Sequence, residues 1–229
     1  MMAIAKLRTN SPHQASAVPI SLDQIKLSPG SAIQVPGLTW QQYKGWLVEL
    51  GDQRTLRVTY DQGIFEVRMP SKHHELVNRL LERIITTLTE ELEMSVIALG
   101  SVTLEQESVG QGVEPDSCFY IQNASRIAVG VDEPPSDVPP DLVVEVDISS
   151  SSKSRLKIYA AMGVPEIWRY CRQDFAIFQL QVDEYVRCDY SLAFPKVSVS
   201  FLQLLIDHGL KSQDQNAIIR ELRDGLKRL

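Results

Sequence analysis

The sequence predicts an α/β protein with a mixed central sheet flanked by helices. Three features predict it. Strand-like and helix-like segments alternate along the chain, one long segment carries an apolar stripe at helical spacing, and one near-continuous apolar run reads as a strand covered on both faces. The 229 residues suffice for one sizeable domain with its own core and contain no internal repeat. The expected organisation is a flexible N-terminal arm over residues 1–30, a main domain over 31–212 and a C-terminal helix over 213–229.

The arm is rich in Ser, Pro, Gln and Ala without a sustained period. Apolar residues at 40, 43, 46, 47 and 50 then repeat at helical spacing, with Thr39 as N-cap. Arg54 to Tyr60 and Ile64 to Arg68 alternate on either side of Asp61-Gln62-Gly63, which is a β-hairpin. Ser71 caps the longest helix, whose stripe is Leu76, Val77, Leu80, Leu81, Ile84, Ile85, Leu88 and Leu92. His74, Asn78, Glu82 and Thr86 share another face of it. Short strands broken at Gly100, Gly110, Gly112 and Pro115 follow, then a proline-rich loop from Glu133 to Pro140. Leu142 to Ile148 is the covered strand. A serine-rich turn, Ser149 to Ser152, leads to a helix from Lys153 to Met162 ended by Gly163, and a strand from Ile167 to Tyr170. Phe175 to Leu180 with Tyr185 to Cys188 form a closing hairpin, and Ser200 to His208 and Asn216 to Lys227 are helices.

Composition excludes several classes. Hydrophobic residues at 44% and charged residues at 23% are those of a globular chain rather than a disordered or fibrous one. Lys and Arg number 23 against 29 Asp and Glu, a net charge of −6, so contact with nucleic acid has to rest on a local patch or a bound metal. Three widely spaced cysteines, Cys118, Cys171 and Cys188, indicate a reducing compartment and argue against a cysteine zinc site. No apolar run approaches the roughly 20 residues of a membrane helix, and no signal-peptide core precedes Lys6. A cytoplasmic protein without membrane contact is expected.

The chemically informative feature is carboxylates placed in strands. In Val143-Val144-Glu145-Val146-Asp147, Glu145 and Asp147 share a face because strand side chains alternate. A buried carboxylate is costly unless it is paired, metal-bound or at an accessible end of the sheet. Asp116 of Glu114-Pro115-Asp116 opens another strand, and if the two strands are neighbours it converges with Glu145. Hard oxygen ligands of this kind suit Mg²⁺ or Mn²⁺. The competing reading makes Glu145 and Asp147 solvated acids at a strand end and Asp116 a turn residue.

These segments carry a family resemblance. Glu114-Pro115-Asp116, Pro140-Asp141-Leu142-Val143-Val144-Glu145-Val146 and Tyr159-Ala160-Ala161-Met162-Gly163-Val164-Pro165-Glu166-Ile167-Trp168 resemble the Uma2 (DUF820) family. That family is abundant in cyanobacteria and belongs to the PD-(D/E)xK restriction-endonuclease-like superfamily. Ser71-Lys72-His73-His74-Glu75-Leu76 resembles its usual helix start, and the likeness spans about residues 38–190. It implies a restriction-endonuclease-like fold and a metal-dependent phosphodiesterase site with DNA as substrate.

Carried over residue by residue, the resemblance makes Asp116 and Glu145 the metal ligands. Glu75, or His74 beside it, becomes the polar group from the first core helix. The lysine expected two residues after Glu145 is Asp147 here, and the alternative lysine position on the next helix is Arg155. Arginine offsets charge on a phosphorane-like transition state but stays protonated, so it is no general base. Lys153 and Lys157 flank it as substitutes, and the alternative reading is a weak or inactive nuclease-fold protein that binds nucleic acid or regulates. Asp141 is read as structural, and Trp40 and Trp46 as packing. The stripe Ile218, Ile219, Leu222 and Leu226 suits either a homodimer interface or packing on its own domain.

Overall fold

The computed structural model describes residues 26–51, 55–127, 134–135, 137–148 and 153–228. Most of the expected arm, part of the proline-rich loop and the turn at 149–152 lie outside the described residues.

The class is mixed α/β as expected, but the strands divide into two sheets rather than one. Strands β1 (Ala32–Pro36), β2 (Arg57–Asp61), β3 (Ile64–Arg68), β5 (Leu104–Gln106) and β6 (Gln111–Val113) form a five-stranded antiparallel sheet ordered β1-β3-β2-β6-β5. Strands β4 (Ile97–Leu99), β7 (Ser117–Tyr120), β8 (Leu142–Asp147), β9 (Glu166–Cys171), β10 (Asp174–Gln181) and β11 (Glu184–Cys188) form a six-stranded sheet ordered β11-β10-β9-β8-β7-β4. In it β8 and β9 run parallel, joined by helix α3 (Lys153–Ala161), and the other neighbours are antiparallel. After contributing β4 to the second sheet and β5 and β6 to the first, the chain returns to the second for its remaining strands at Glu114-Pro115-Asp116. β1, which no alternation signalled, adds to the edge of the expected hairpin.

Helix α1 (Trp40–Leu50) is opened by a capping box of Thr39 and Gln42 and packs the aromatic cluster of Trp40, Tyr43, Tyr60, Trp46 and Phe65. Trp40 and Trp46 are packing residues, as read. Helix α2 (Lys72–Glu91) is capped by the Ser71 side chain, which accepts from the His74 amide. Its Val77, Leu80, Leu81 and Ile84 pack with Leu142, Val144 and Val146 on one face of the six-stranded sheet. The opposite face carries Val143 and Ile167 against Ile158 and Tyr159 of α3. β8 is therefore covered on both sides, the environment its apolar run predicts.

Two details of α2 depart from the expected stripe. Leu76 and Leu92 are exposed, whereas His74 and Asn78 are buried. Asp116 and Ser117 pack against that polar face, so hydrogen bonding rather than hydrophobicity decides which side is covered.

Helices α4 (Val199–Lys211) and α5 (Gln215–Leu226) close the core over α2. Ile218 and Leu222 are buried there and Leu226 packs against them, so the stripe offered as a dimer interface serves its own chain. Among the described residues no helix is long and apolar enough to cross a membrane.

Candidate active site

The pairing of β7 with β8 sets Ser117 opposite Val144, and one step further the same register puts Asp116 opposite Glu145. Residues opposite each other on paired strands share a face, so the two acids meet as the sequence led us to expect. Both are almost wholly buried, with Asp116 1% and Glu145 0% exposed. Arg155, from the first turns of α3, is also 0% exposed. Arg155 contacts Glu145, and Arg68 lies within salt-bridge reach of both Glu145 and Asp116.

The partners of those acids are mostly arginines. Arg155 Nε donates to both Glu145 oxygens, at 3.1 and 3.2 Å, and Arg155 Nη2 donates to Glu145 Oε2 at 2.7 Å. The same Nη2 lies 3.2 Å from Asp147 Oδ1, and Nη1 lies 3.7 Å from Glu66 Oε1. Tyr159, one turn further along α3, donates its hydroxyl to Glu145 Oε1 at 2.5 Å. Asp147 also accepts from Arg169 on β9 at 2.7 Å.

Asp116 Oδ1 accepts from Arg68 Nη1 at 3.3 Å, and its Oδ2 lies 2.9 Å from His74 Nε2 and accepts the Val146 amide at 2.8 Å. Arg68 Nη2 binds the Glu114 carbonyl at 3.0 Å and lies 3.8 Å from Glu145 Oε2, so one guanidinium spans both acids. Ser117 is tied to Asn78 and Glu82 of α2, which fixes the helix against the strand.

The electrostatics follow from this wiring. Burial pushes the Asp116 carboxyl up, but the Arg68 charge, the His74 hydrogen bond and the Arg155 charge outweigh it and hold the group below the usual carboxylate range. Burial lowers the Arg155 pKa, and the charge of Glu145 overrides it, so the guanidinium is permanently charged. Tyr159 is pushed well above its ordinary value by burial and by Glu145, which keeps it a donor.

Glu75 does not join the site. It pairs with Arg79 at 2.8 Å on the outside of α2, and the buried neighbour His74 occupies the place considered for either. Lys157 is exposed, and Lys153 opens α3. Asp141 is structural as read, since its carboxylate accepts the amides of Ile121 and Asn123. Glu166 of the diagnostic block is a buried brace, bonded to Trp168, Ser191 and the Leu192 and Ala193 amides.

Sequence reasoning missed Glu66, Arg68, Arg169 and the direct role of Tyr159. Glu66 and Arg68 alternate with Phe65 and Val67, a pattern that reads as a solvated outer face. Arg68 is buried there against Asp116 and Glu145, Glu66 is half-buried beside Arg155 of α3, and no signal within the hairpin announces it.

A divalent Mg²⁺ or Mn²⁺ takes about six oxygen ligands. Both oxygens of Glu145 and both of Asp116 already take part in hydrogen bonds, and the buried Arg68 guanidinium lies within salt-bridge reach of both acids, where a bridging ion would sit. Among the described residues no group of three or more His, Cys, Asp or Glu side chains is arranged to hold a metal. As arranged, the residues do not fit the expected ion between Asp116 and Glu145.

The Uma2 family model, described as "Putative restriction endonuclease", matches residues 40–207, well over half of the chain. The chain belongs to the Uma2 family. Its fold is similar to that in the crystal structure of "a putative nuclease belonging to DUF820" from Anabaena variabilis ATCC 29413. The TM-score is 0.54 at 16% identity, with 74% of this chain and 99% of that one covered. At that identity the likeness concerns the fold. No curated protein matches the chain significantly. The Uma2 match covers the site-bearing strands, α2 and α3, so this protein carries the endonuclease-type scaffold of its family.

Proposed function

We propose that this Uma2 protein is a nucleic-acid-binding module of the nuclease fold whose hydrolytic centre is neutralised by its own arginines and does not turn over phosphodiesters. The observation that carries the reading is Arg155. Its guanidinium is fully buried and bidentate on Glu145, the acid that hydrolysis would need free. A permanently protonated group can neither accept a proton from water nor lower its pKa as a metal would. The chain's own groups occupy the oxygens of Glu145 and Asp116. DNA as the partner rests on membership of the family.

A second reading, a Mg²⁺- or Mn²⁺-dependent DNA endonuclease, is favoured by the register that sets Asp116 opposite Glu145. A plasmid-nicking assay in Mg²⁺ and in Mn²⁺, run beside a gel-shift with the same DNA, separates them. We expect DNA retention without nicking for the wild type. Nicking that Glu145→Ala and Asp116→Ala both abolish would establish the endonuclease instead, and absence of any DNA retention would remove the binding role.

A further inference from the structure

Outside the buried centre, an open groove of about 710 Å³ runs between α2 and α5. Four arginines line it, Arg79 and Arg83 on the α2 wall and Arg220 and Arg223 on the α5 wall, against two carboxylates, Glu82 and Glu90. Its other lining side chains are uncharged. A chain of net charge −6 therefore keeps a local excess of positive charge in this groove.

The four arginines are of two kinds. Arg83 Nη2 donates to Asn216 Oδ1 at 2.8 Å, and Arg223 donates to Glu91 at 2.7 Å and lies 3.5 Å from Glu90, so these two tie α5 to α2. Arg79 and Arg220 tie nothing across the groove. Arg79 pairs with Glu75 and Glu82 of its own helix at 2.8 and 2.9 Å, and Arg220 with Asp214, the N-cap of its own helix, at 2.9 Å. Their side chains are 65% and 64% exposed. Exposed pairs of this kind contribute little to stability, so an incoming anion can exchange with the carboxylate. A guanidinium also offers a planar fork of donors that matches two oxygens of one phosphate.

We infer that this groove holds the phosphate backbone of a DNA duplex, with Arg79 and Arg220 as its phosphate contacts and Arg83 and Arg223 fixing the two walls. The inference rests on the nucleic-acid-binding reading above and adds the surface and the residues. Glu82, on the α2 wall, also accepts the Ser117 hydroxyl at 2.5 Å, and Ser117 follows Asp116, so the groove lies beside the neutralised centre. Backbone contacts need only a local patch of positive charge, which an acidic chain can supply without an ion at the centre.

The test reads fluorescence anisotropy of a short labelled DNA duplex against full-length protein, with KCl raised from about 50 to about 200 mM. We expect Arg79→Gln with Arg220→Gln to weaken binding about tenfold or more at the low-salt end and to reduce the slope of log Kd against log [KCl] by about two. Two unrelated duplex sequences should lose equally, because phosphates carry no sequence information. Each single variant should give about half of the change in slope, which keeps the measurement independent of the fold of the double variant. Arg79→Lys with Arg220→Lys should retain the slope, and so should Arg126→Gln with Arg187→Gln, which removes two exposed arginines outside the groove. An unchanged slope in the groove variants, or an equal drop in the outside pair or in the lysine variant, overturns the groove and leaves DNA binding itself standing. Absence of DNA retention by the wild type overturns both.

Discussion

A buried charge feels the field of its neighbours. Asp116 illustrates the consequence for pH. Its native pKa is depressed below that of the unfolded chain, so its ionised form stabilises the fold above the ordinary carboxylate value of about 3.9, and that contribution is lost as pH falls below it. Urea midpoints measured from about pH 7 down to about pH 2 should fall steeply below about pH 4 in the wild type. Asp116→Asn should be less stable at neutral pH and flatter in that acid limb, and an unchanged limb would show that other carboxylates carry the effect. Cys118 makes the complementary point, since burial pushes its thiol up to about 12 and leaves it an inert core residue. Of the candidate residues, Asp116 and Glu145 were legible as a facing pair because strand alternation is local, whereas Arg155 came only from the family resemblance. Glu75 was misplaced by one residue, because only the rotation of α2 against β7 selects His74 over it.

At the level of elements, the joint between α2 and α4 depends on the absence of a side chain. A Cβ built at Gly209 would lie 2.6 Å from Leu80 Cδ2, and Leu80 is fully buried and cannot yield. Gly209→Ala should therefore cost about 1–3 kcal/mol by overpacking, despite the gain of about 1 kcal/mol in helix propensity. Chemical denaturation checks it, and a stabilised variant would mean the helices slide apart freely. The helices were readable from periodicity, and α4 and α5 fall within a few residues of their expected bounds. β1 was not readable, because its burial alternates only between exposed and half-buried and its pairing with β3 alone makes it a strand.

For the whole molecule, the crossover at Glu114-Pro115-Asp116 joins two sheets and brings residues of both to one charged cluster. Glu114 locks that joint, its carboxylate accepting the Val58 amide and the Thr103 hydroxyl. The C-terminal helix completes the core on the far side. A chain ending before Gln213 should uncover the apolar faces of α2 and α4 on which α5 packs, bind an apolar dye and melt without a cooperative transition. A truncated chain of unchanged cooperativity would show α5 to be dispensable.

From the order of its residues alone this chain specifies its helices, most of its strands, its class and the two acids that face each other, because each depends on periods of two or 3.6 residues and on motifs a few positions long. Its family membership was legible in the same way, from the Gly-Val-Pro-Glu-x-Trp block. Folding in three dimensions alone decided that Glu66 and Arg68 turn inward and that Arg155 closes on Glu145 and Asp147. The charge state of a buried centre is a sum over groups up to about ninety positions apart in sequence, from Glu66 to Arg155, and no local pattern contains that sum.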